Sequence, residues 1–468
     1  MLIASLSSIV IVFCSTAASL HALLTKRDPK SALGWVAFCF LLPVAGPLIY
    51  LIFGINRIEN KAREMYEKEE NSNASHAPTE RSTNLGDIYI IGKSITGLDA
   101  SACQEFQLLE NGDELFPRML EVIDEAQSSV FLSTYIFQND ETGNNLLQAL
   151  IRAKSRGLDV RIIVDGIGAI FYPPRISKKL ARSGLNVQYF DPPRLLPPSL
   201  HINLRNHRKL LIVDQSIAFT GGQNISDHHL SNAANNPKMA LDIHFSFRGD
   251  TALDMSKAFL RDWDSCSNTE QTTQILPPPH SSHQGGAHLT RIILDGPNEN
   301  LDRLNELLVG TFSLAKKRIW IMTPYFLPGF ELIAALIAAK HRGVDVKIIL
   351  PTKTNISITQ WASEHGQKHI LARGLKVFLQ PHPFIHSKAI VIDDDYSLVG
   401  SANLDPRSLR LNFEIGVEVF SSQFNQKLVN YFEKKLDKCN ALDENLFSKQ
   451  TFLVRVRNAC AWLFTPYL

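Results

Sequence analysis

Two long uncharged stretches open the chain, residues 2–25 and residues 31–56, and a short charged turn separates them. Each stretch exceeds the roughly 20 residues that an α-helix needs to cross a bilayer. The pattern therefore predicts a transmembrane helical hairpin over residues 1–57, with Pro43 and Pro47 kinking the second helix. A cleaved signal peptide is the alternative for the first stretch, but no basic residues precede its apolar part.

The chain turns polar after this hairpin. Residues 69–84 contain few apolar side chains, so residues 58–85 are predicted to form a tether. Basic residues lie both within the hairpin turn and just after the second stretch: Lys26, Arg27 and Lys30, then Arg57, Lys61, Arg63 and Lys68. The positive-inside rule separates these sets only slightly, and we favour a cytoplasmic side for the rest of the chain.

Short apolar runs typical of buried strands then alternate with helical patterns, and their order occurs twice. Residues 155–165 match residues 341–351, and a strand and a helix precede each of them. This alternation predicts an α/β fold of two similar halves, residues 86–264 and 288–445, with mixed sheets flanked by helices. Residues 265–287, rich in Ser, Thr, Gln, Pro and Gly, are predicted to link the halves.

One motif recurs at the same place in both halves. Each copy reads H-x-K-x4-D and is followed, after six residues, by G-[GS]-x-N. The copies are His207-Arg208-Lys209 with Asp214 and Gly221-Gly222-Gln223-Asn224, then His386-Ser387-Lys388 with Asp393 and Gly400-Ser401-Ala402-Asn403. Two complete matches with the same trailing piece make coincidence a poor explanation.

The residue types of this motif suit phosphodiester chemistry at one shared site. In each copy the His and Lys lie two apart beside an apolar strand, so both side chains point to the same face. One histidine can attack phosphorus as a nucleophile, and the other can protonate the leaving oxygen. Lys209, Lys388, Asn224 and Asn403 can stabilise charge on the phosphate oxygens. This chemistry requires no cofactor and no metal.

Composition excludes several other classes of protein. The 48 basic and 46 acidic residues leave a net charge of +2, which is no footprint of a nucleic-acid partner. The six cysteines are scattered and indicate neither a disulfide framework nor a zinc site. We expect His365 and His369 to lie on a solvated helix face, and His228 and His229 to lie in a surface loop.

The C-terminal residues 446–468 mix apolar side chains with Arg455 and Arg457. Two interpretations are equally open. The segment is either an interfacial amphipathic segment with its basic groups near lipid head groups, or a final helix packed on the core.

The doubled motif resembles the phospholipase D superfamily and, within it, the membrane-anchored bacterial cardiolipin synthases. The resemblance covers nearly the whole chain. The runs that carry it are Asp28-Pro29-Lys30-Ser31-Ala32-Leu33-Gly34-Trp35, Arg205-Asn206-His207-Arg208-Lys209, Thr323-Pro324-Tyr325-Phe326, Asn403-Leu404-Asp405-Pro406-Arg407-Ser408 and Leu411-Asn412-Phe413-Glu414. It implies a multi-pass protein of the bacterial inner membrane whose partners are phosphatidylglycerol and other membrane phospholipids.

The resemblance also implies a ping-pong phosphatidyl transfer between two phosphatidylglycerol molecules. By analogy His207 is the nucleophile and His386 the general acid, although their similar local contexts do not order them. The resemblance further implies one later carboxylate for each histidine, Glu414 after His386 and Asp242 after His207. Asp214 and Asp393, at the far ends of the motif strands, are expected to be structural members of the catalytic motif.

The first half departs from the family pattern at two places. Met239-Ala240 precedes Leu241-Asp242 where a Trp-Arg pair is common, and the loop Ser226-Asp227-His228-His229-Leu230 replaces an Asp-Glu-Tyr-Leu run. These departures bear on the acceptor more than on the chemistry. The alternative function is therefore a membrane-bound phosphodiesterase that uses water as acceptor. A non-catalytic scaffold would predict a broken motif, and both copies are complete.

Overall fold

The computed structural model describes residues 2–26, 28–54, 84–171, 173, 175–193, 204–231, 236, 238–266, 288–298 and 300–467. Most of the predicted tether and nearly all of the predicted linker, residues 267–287, lie outside the described residues. The chain divides into two compact units, one made chiefly of the N-terminal helices and one containing both predicted halves.

The N-terminal unit is helical. Its helices are α1 (Leu2–Thr25), α2 (Pro29–Leu41) and α3 (Ala45–Ile49), followed by a π-helical turn, Tyr50–Gly54. Asp28 caps α2 by accepting hydrogen bonds from the N–H groups of Lys30 and Ser31. The break between α2 and α3 falls in the region where Pro43 and Pro47 predict a kink. Within the described part of the chain, no helix meets the combined requirement of length and apolar character for a membrane span.

The first half alternates strands and helices in the predicted order. Its strands are β1 (Ser101–Glu110), β2 (Ser129–Thr134), β3 (Asp159–Asp165), β4 (Asn186–Phe190), β5 (Arg205–Asn206), β6 (Leu210–Val213), β7 (Ile217–Gly221), β8 (Ala240–Leu241) and β9 (Ile243–Gly249). Its helices are α4 (Asn84–Thr96), α5 (Asn111–Glu125), α6 (Glu141–Ser155), α7 (Gly168–Phe171), α8 (Ser177–Arg182) and α9 (Asp250–Cys266).

The second half repeats this order. Its strands are β10 (His288–Asp295), β11 (Arg318–Met322), β12 (Asp345–Pro351), β13 (Lys376–Gln380), β14 (Phe384–Ile385), β15 (Ala389–Ile392), β16 (Tyr396–Gly400), β17 (Asn412–Phe420) and β18 (Asn440–Ala441). Its helices are α10 (Arg303–Leu314), α11 (Phe330–His341), α12 (Ser357–Leu371), α13 (Pro406–Arg410), α14 (Ser422–Leu436), α15 (Asn445–Ser448) and α16 (Phe452–Leu463).

Both halves contribute to one mixed sheet. The strand order is β4-β3-β2-β6-β7-β9-β1 in the first half and β13-β12-β11-β15-β16-β17-β10 in the second, with β18 beyond β13. The halves join where β1 runs antiparallel to β10, with Ser101 opposite Thr290. The equivalent strand orders confirm the predicted two-repeat mixed α/β fold. Each half has its own apolar core between sheet and helices, and Ile88 of α4 lies in the core of the second half although α4 precedes the first half in sequence.

Two very short strands cross from one half to the other. Strand β5 pairs in parallel with β17, where Arg205 is opposite Asn412 and Asn206 is opposite Phe413. Strand β14 pairs in parallel with β8. Because β5 and β14 immediately precede the two motif histidines, these pairings fix each histidine against the opposite half.

Glycines end the two helices that precede the repeated strands. Gly157 and Gly343 have φ values of 88° and 90°, which lie in the left-handed region that favours glycine. Glycine in this conformation is a common way for a helix to end, here after α6 and α11.

The C-terminal helix α16 packs against α12. Ala461 and Ala362 lie in a small apolar cluster, and the side chain of Asn458 donates a hydrogen bond to Glu364 at 2.8 Å. His365 contacts Trp462 of this helix, whereas His369 is exposed. The expectation that both histidines lie on a solvated face is therefore met only in part by His365, which is half-buried because a helix distant in sequence packs beside it.

Candidate active site

Each motif histidine lies just before the apolar strand of its motif and just after a two-residue strand. His207 lies between β5 and β6, and His386 lies between β14 and β15. The N–H of His207 donates to the carbonyl of Phe413 at 2.9 Å, and the N–H of His386 donates to the carbonyl of Leu241 at 2.7 Å. Both bonds extend the parallel pairings between the halves. The backbone at each histidine is therefore held by a strand of the other half.

The carboxylates that contact these histidines are exchanged between the halves. Nδ1 of His207 lies 2.9 and 3.0 Å from the two carboxylate oxygens of Glu414. Nδ1 of His386 lies 2.8 Å from Oδ2 of Asp242. The pairing expected from chain order, Asp242 with His207 and Glu414 with His386, is wrong. It fails because each carboxylate directly follows the residue whose carbonyl accepts the N–H of the histidine in the other half. Glu414 follows Phe413, which binds His207, and Asp242 follows Leu241, which binds His386.

The two carboxylates have different supports. Glu414 accepts hydrogen bonds from the hydroxyl of Ser401 and, at 3.1 Å, from the amide of Asn412. Asp242 instead has Gly222 beside it, where an added Cβ would lie 2.5 Å from both carboxylate oxygens. At the second position of the G-[GS]-x-N piece, Ser401 thus donates a hydrogen bond to Glu414, whereas Gly222 leaves room for the carboxylate of Asp242. This difference distinguishes two histidines that the motif alone presents as alike.

Both motif lysines are buried next to the histidines. Nζ of Lys209 donates to the carbonyl of His207 at 2.8 Å, and Nζ of Lys388 lies 2.6 Å from the carbonyl and 3.0 Å from Nε2 of His386. Burial lowers the pKa of Lys209 to about 7 and that of Lys388 to about 8. The charge of Lys388 also lowers the pKa of Lys209 and of His207, so the two halves face one electrostatic site.

Burial lowers the pKa of both histidines as well. At His207 the negative charge of Glu414 opposes this effect, whereas at His386 the charge of Lys388 adds to it and the pKa falls to about 3. The pKa of Asp242 is about 2, because His386 and Lys388 outweigh the effect of its burial. The empty site therefore holds neutral imidazoles beside ionised carboxylates. A bound phosphodiester would bring negative charge and raise the pKa of both rings.

The two motif asparagines keep part of their hydrogen-bonding capacity. The Oδ1 atoms of Asn224 and Asn403 are buried, and neither has a hydrogen-bond partner among the described residues. Buried amides are normally satisfied, so an unused one next to reactive groups indicates a place for a ligand. Because a phosphate oxygen is itself an acceptor, the Nδ2 group of each asparagine, and not Oδ1, would contact a phosphate in the predicted way.

The motif aspartates stabilise backbone turns. Asp214 accepts hydrogen bonds at 2.7–3.0 Å from the N–H groups of Gln127, Ser128 and Ser129. Asp393 makes equivalent contacts with the N–H groups of residues 316–318. Both aspartates follow the ends of β6 and β15 that are distant from the histidines. These contacts agree with the predicted structural role.

His229 is a residue of the site that sequence reasoning missed. It is buried, its Nε2 accepts a hydrogen bond from the N–H of Asn224 at 3.2 Å, and its ring lies 6.2 Å from that of His386. The expectation that it lies at a loop surface is wrong, although its neighbour His228 is partly exposed. The register of the repeat makes His229 equivalent to Ser408, whose burial is likewise visible only in the structure, so the sequence offered no signal for it.

Arg208, by contrast, does not contribute to the site despite its place inside the motif. Its buried guanidinium forms an ion pair with Asp262 and donates to the carbonyl of Glu414 at 3.1 Å. Among the described residues, no group of three or more His, Cys, Asp or Glu side chains is arranged to hold a metal ion.

Two His–Lys pairs, each with a carboxylate behind its histidine, define an enzyme of phosphodiester transfer with one site shared by two halves. The family described as "Cardiolipin synthase, PLD-like domain" matches residues 119–263 and 308–436 of the chain. The family described as "Phospholipase_D-nuclease N-terminal" matches residues 8–54.

Similar proteins extend over the whole chain. The major cardiolipin synthase ClsA of Bacillus subtilis is 30% identical, with 95% of each chain covered. A cardiolipin synthase of Listeria monocytogenes is 28% identical over the full length of both. The crystal structure of phosphatidylserine synthase from Haemophilus influenzae has a TM-score of 0.60 at 17% identity, and it covers 81% of this chain and all of its own. This chain belongs to the phospholipase D-like cardiolipin synthase family.

Proposed function

We propose that this enzyme transfers a phosphatidyl group from one phosphatidylglycerol molecule to another, giving cardiolipin and glycerol. One observation carries the proposal. Two His–Lys pairs from different halves share one buried site, and Nδ1 of each histidine contacts a carboxylate. Such a contact leaves Nε2 of each ring as the reactive nitrogen.

The first step would form a covalent phosphatidyl-enzyme. Nε2 of His207 attacks phosphorus, and the bond between phosphorus and the oxygen of the head-group glycerol breaks. Protonated His386 gives its proton to that oxygen, and glycerol leaves. The negative charge of the bound phosphodiester favours the protonation of His386 that this step needs. The carboxylate of Glu414 stabilises the positive charge that develops on the His207 ring.

The second step reverses these roles. Neutral His386 takes the proton from a hydroxyl of the second phosphatidylglycerol, whose oxygen attacks phosphorus. The bond between phosphorus and Nε2 of His207 breaks, and cardiolipin forms. The proton is then on His386, as it was in the complex with the first substrate, and the ring becomes neutral again when the negatively charged product leaves.

The surroundings of the two rings support His207 as the nucleophile. At His207 the largest charge effect on the pKa is that of Glu414, which counteracts burial, whereas at His386 it is that of Lys388, which adds to burial. Lys388 lies 3.0 Å from Nε2 of His386 and depresses its basicity. A less basic imidazole gives up its proton more readily. It can act as the proton donor once the charge of the substrate has raised its pKa towards the working pH.

The phosphate would be held by the four remaining polar groups. Lys209 and Lys388 supply positive charge, and the amides of Asn224 and Asn403 supply hydrogen bonds to the non-bridging oxygens. Both lysines are fixed by the carbonyl of their own motif histidine. They therefore need little rearrangement when the substrate binds.

We propose in addition that residues 1–57 form a transmembrane hairpin and that the catalytic side is cytoplasmic. Residues 2–25 and 31–56 are uncharged, and residues 8–54 match a family found at the N-terminus of related enzymes. A membrane anchor would raise the effective concentration of phospholipid substrates at the site.

Lipid mass spectrometry on purified protein in phosphatidylglycerol vesicles, with released glycerol assayed alongside, tests this function. Cardiolipin and glycerol in equal amounts would support the transfer. Phosphatidic acid without cardiolipin would identify a hydrolase that uses water as acceptor. His207→Ala and His386→Ala should each abolish either activity, because both histidines serve one site.

A further inference from the structure

The C-terminal helix α16 leaves an apolar face uncovered. Of the eleven large hydrophobic side chains described as exposed after residue 84, six lie between residues 452 and 464. The most exposed of them are Phe452 at 75%, Leu453 at 77% and Leu463 at 69%. A concentration of this kind on one short helix marks an interaction surface, whereas exposed apolar residues scattered singly need no explanation.

The helix has a separate protein-facing side. Val454, Asn458 and Ala461 are spaced at helical intervals, and all three are buried or partly buried. At about 100° per residue, Phe452, Val456 and Leu463 fall within about 40° of one another on the side opposite to these positions. The exposed apolar face is therefore the second side of a helix that is already docked on α12. It is not a frayed or unpacked end.

Charge indicates what covers this face. Residues 445–468 contain three basic residues, Lys449, Arg455 and Arg457, and no acidic residue. On the helix, exposed Arg455 flanks the apolar stripe, at a position that meets head groups when a helix lies in a bilayer interface. Arg457 lies nearer the protein-facing side, with its guanidinium 4.6 Å from the centre of the Trp361 ring and 3.9 Å from Glu364. An anionic lipid surface complements this pattern in both its apolar and its charged parts.

The helix also lies close to a segment of the active site. Ala461 packs in one cluster with Leu327, whose N–H donates to the carbonyl of Leu404 at 2.8 Å, next to Asn403. The turn Thr465–Tyr467 contacts α13, which begins three residues after Asn403. Phe330, at 83% exposure, begins α11 just beyond Leu327. The helix that carries the apolar face thus packs next to the segment that contains Asn403.

We propose that the exposed face of α16 inserts into the interface of an anionic phospholipid bilayer and holds the entrance of the active site against it. This inference deepens the proposed function and rests on it for the identity of the lipid. It adds a second contact with the membrane, independent of the N-terminal hairpin. The insertion would let a lipid enter the site without passing through water.

Fluorescence quenching tests the contact directly and does not depend on catalysis. The full-length protein carrying Phe452→Trp is placed in vesicles that contain phosphatidylglycerol and lipids with brominated acyl chains. Its emission should be quenched more than that of the wild type. The matched control is Leu98→Trp, an exposed apolar position near the end of β1 opposite to the site, where no added quenching is expected.

Charge is tested in the same assay. Arg455→Glu should reduce the quenching of the Phe452→Trp reporter, whereas Lys376→Glu, a matched change at the start of β13, should not. Equal quenching at Phe452→Trp and Leu98→Trp, or none at either, would overturn the proposal and assign the face to a protein partner or a second copy. Such a result would leave the transfer reaction standing, because product formation is measured separately.

Discussion

Each motif histidine depends on a carboxylate supplied by the other half of the chain. Glu414 contacts His207 and Asp242 contacts His386, so a substitution in one half should disable the histidine of the other. The two carboxylates serve different steps if His207 attacks and His386 protonates. This separation makes the assignment of roles testable with single side chains.

A phosphatidyl ester of p-nitrophenol separates the two carboxylates, because its leaving group departs without a proton. With this substrate, Glu414→Gln should slow the release of nitrophenolate by about 100-fold or more, since the orientation and charge stabilisation of His207 are lost. Asp242→Asn should leave the first-turnover burst of release nearly unchanged while it abolishes further turnover and cardiolipin formation. The exposed Glu433→Gln serves as control. Equal loss in both variants would contradict the division of roles.

The low pKa of Lys388 predicts a characteristic pH dependence. In the empty enzyme this lysine is charged below pH 8 and becomes neutral above it, because its pKa is about 8. The KM for phosphatidylglycerol should therefore rise as the pH increases through this value. In Lys388→Arg the guanidinium stays charged, so KM should remain flat to higher pH, whatever the effect on kcat. An unshifted rise in KM in this variant would exclude Lys388 as the titrating group.

His229 is predicted to position the first phosphate-binding asparagine. His229→Phe would leave the buried N–H of Asn224 without an acceptor, at a cost of about 1–3 kcal/mol. We expect KM to rise by about tenfold or more in steady-state kinetics. His229→Gln, which keeps an acceptor, should recover most of the loss, and His228→Phe is the neighbouring control. Equal defects in His229→Phe and His229→Gln would argue against this hydrogen bond.

The chemistry of individual residues was largely predictable from sequence, but their partners were not. The doubled motif identifies His207, Lys209, His386 and Lys388 because each residue type has a direct use at a phosphate. The exchange of carboxylates was not predictable, since chain order places Glu414 after His386. The burial of His229 was missed because an adjacent histidine pair in a polar loop has no sequence feature that indicates burial.

At the scale of elements, the long strands and helices follow the sequence pattern closely. The apolar strand predicted beside each motif copy is observed, as β6 and β15, because continuous apolar runs are typical of a buried sheet. The two-residue strands β5, β8 and β14 were not predicted, since pairs this short have no periodicity. These strands nevertheless determine which carboxylate reaches which histidine.

The turns closed by the motif aspartates provide a prediction about stability. Asp214→Ala would leave three backbone N–H groups without their acceptor and should lower the free energy of unfolding by about 1–3 kcal/mol. A lower Tm with unchanged kcat per folded molecule is expected from thermal unfolding and activity assays. A large loss of kcat at unchanged Tm would instead place Asp214 in the catalytic machinery.

At the scale of the whole molecule, the exchange of carboxylates between the two repeats explains why neither half can form a complete active site alone. The halves are joined through β1 and β10 into one sheet, and each lacks the carboxylate that its own histidine needs. A sequence repeat predicts two similar units, but it does not determine how they face each other. Their relative placement depends on side-chain packing between elements that are distant in the chain.

The most direct test of this shared, covalent mechanism is to trap the intermediate. His386→Ala is incubated with the p-nitrophenyl phosphatidyl ester, and its peptides are analysed by mass spectrometry. The first step needs no proton donor with this substrate, and the second step lacks its base, so the phosphatidyl group should accumulate on His207. The same treatment of His207→Ala should give no adduct. An adduct on His386 in His207→Ala, or release of nitrophenolate with no adduct in either variant, would contradict the mechanism.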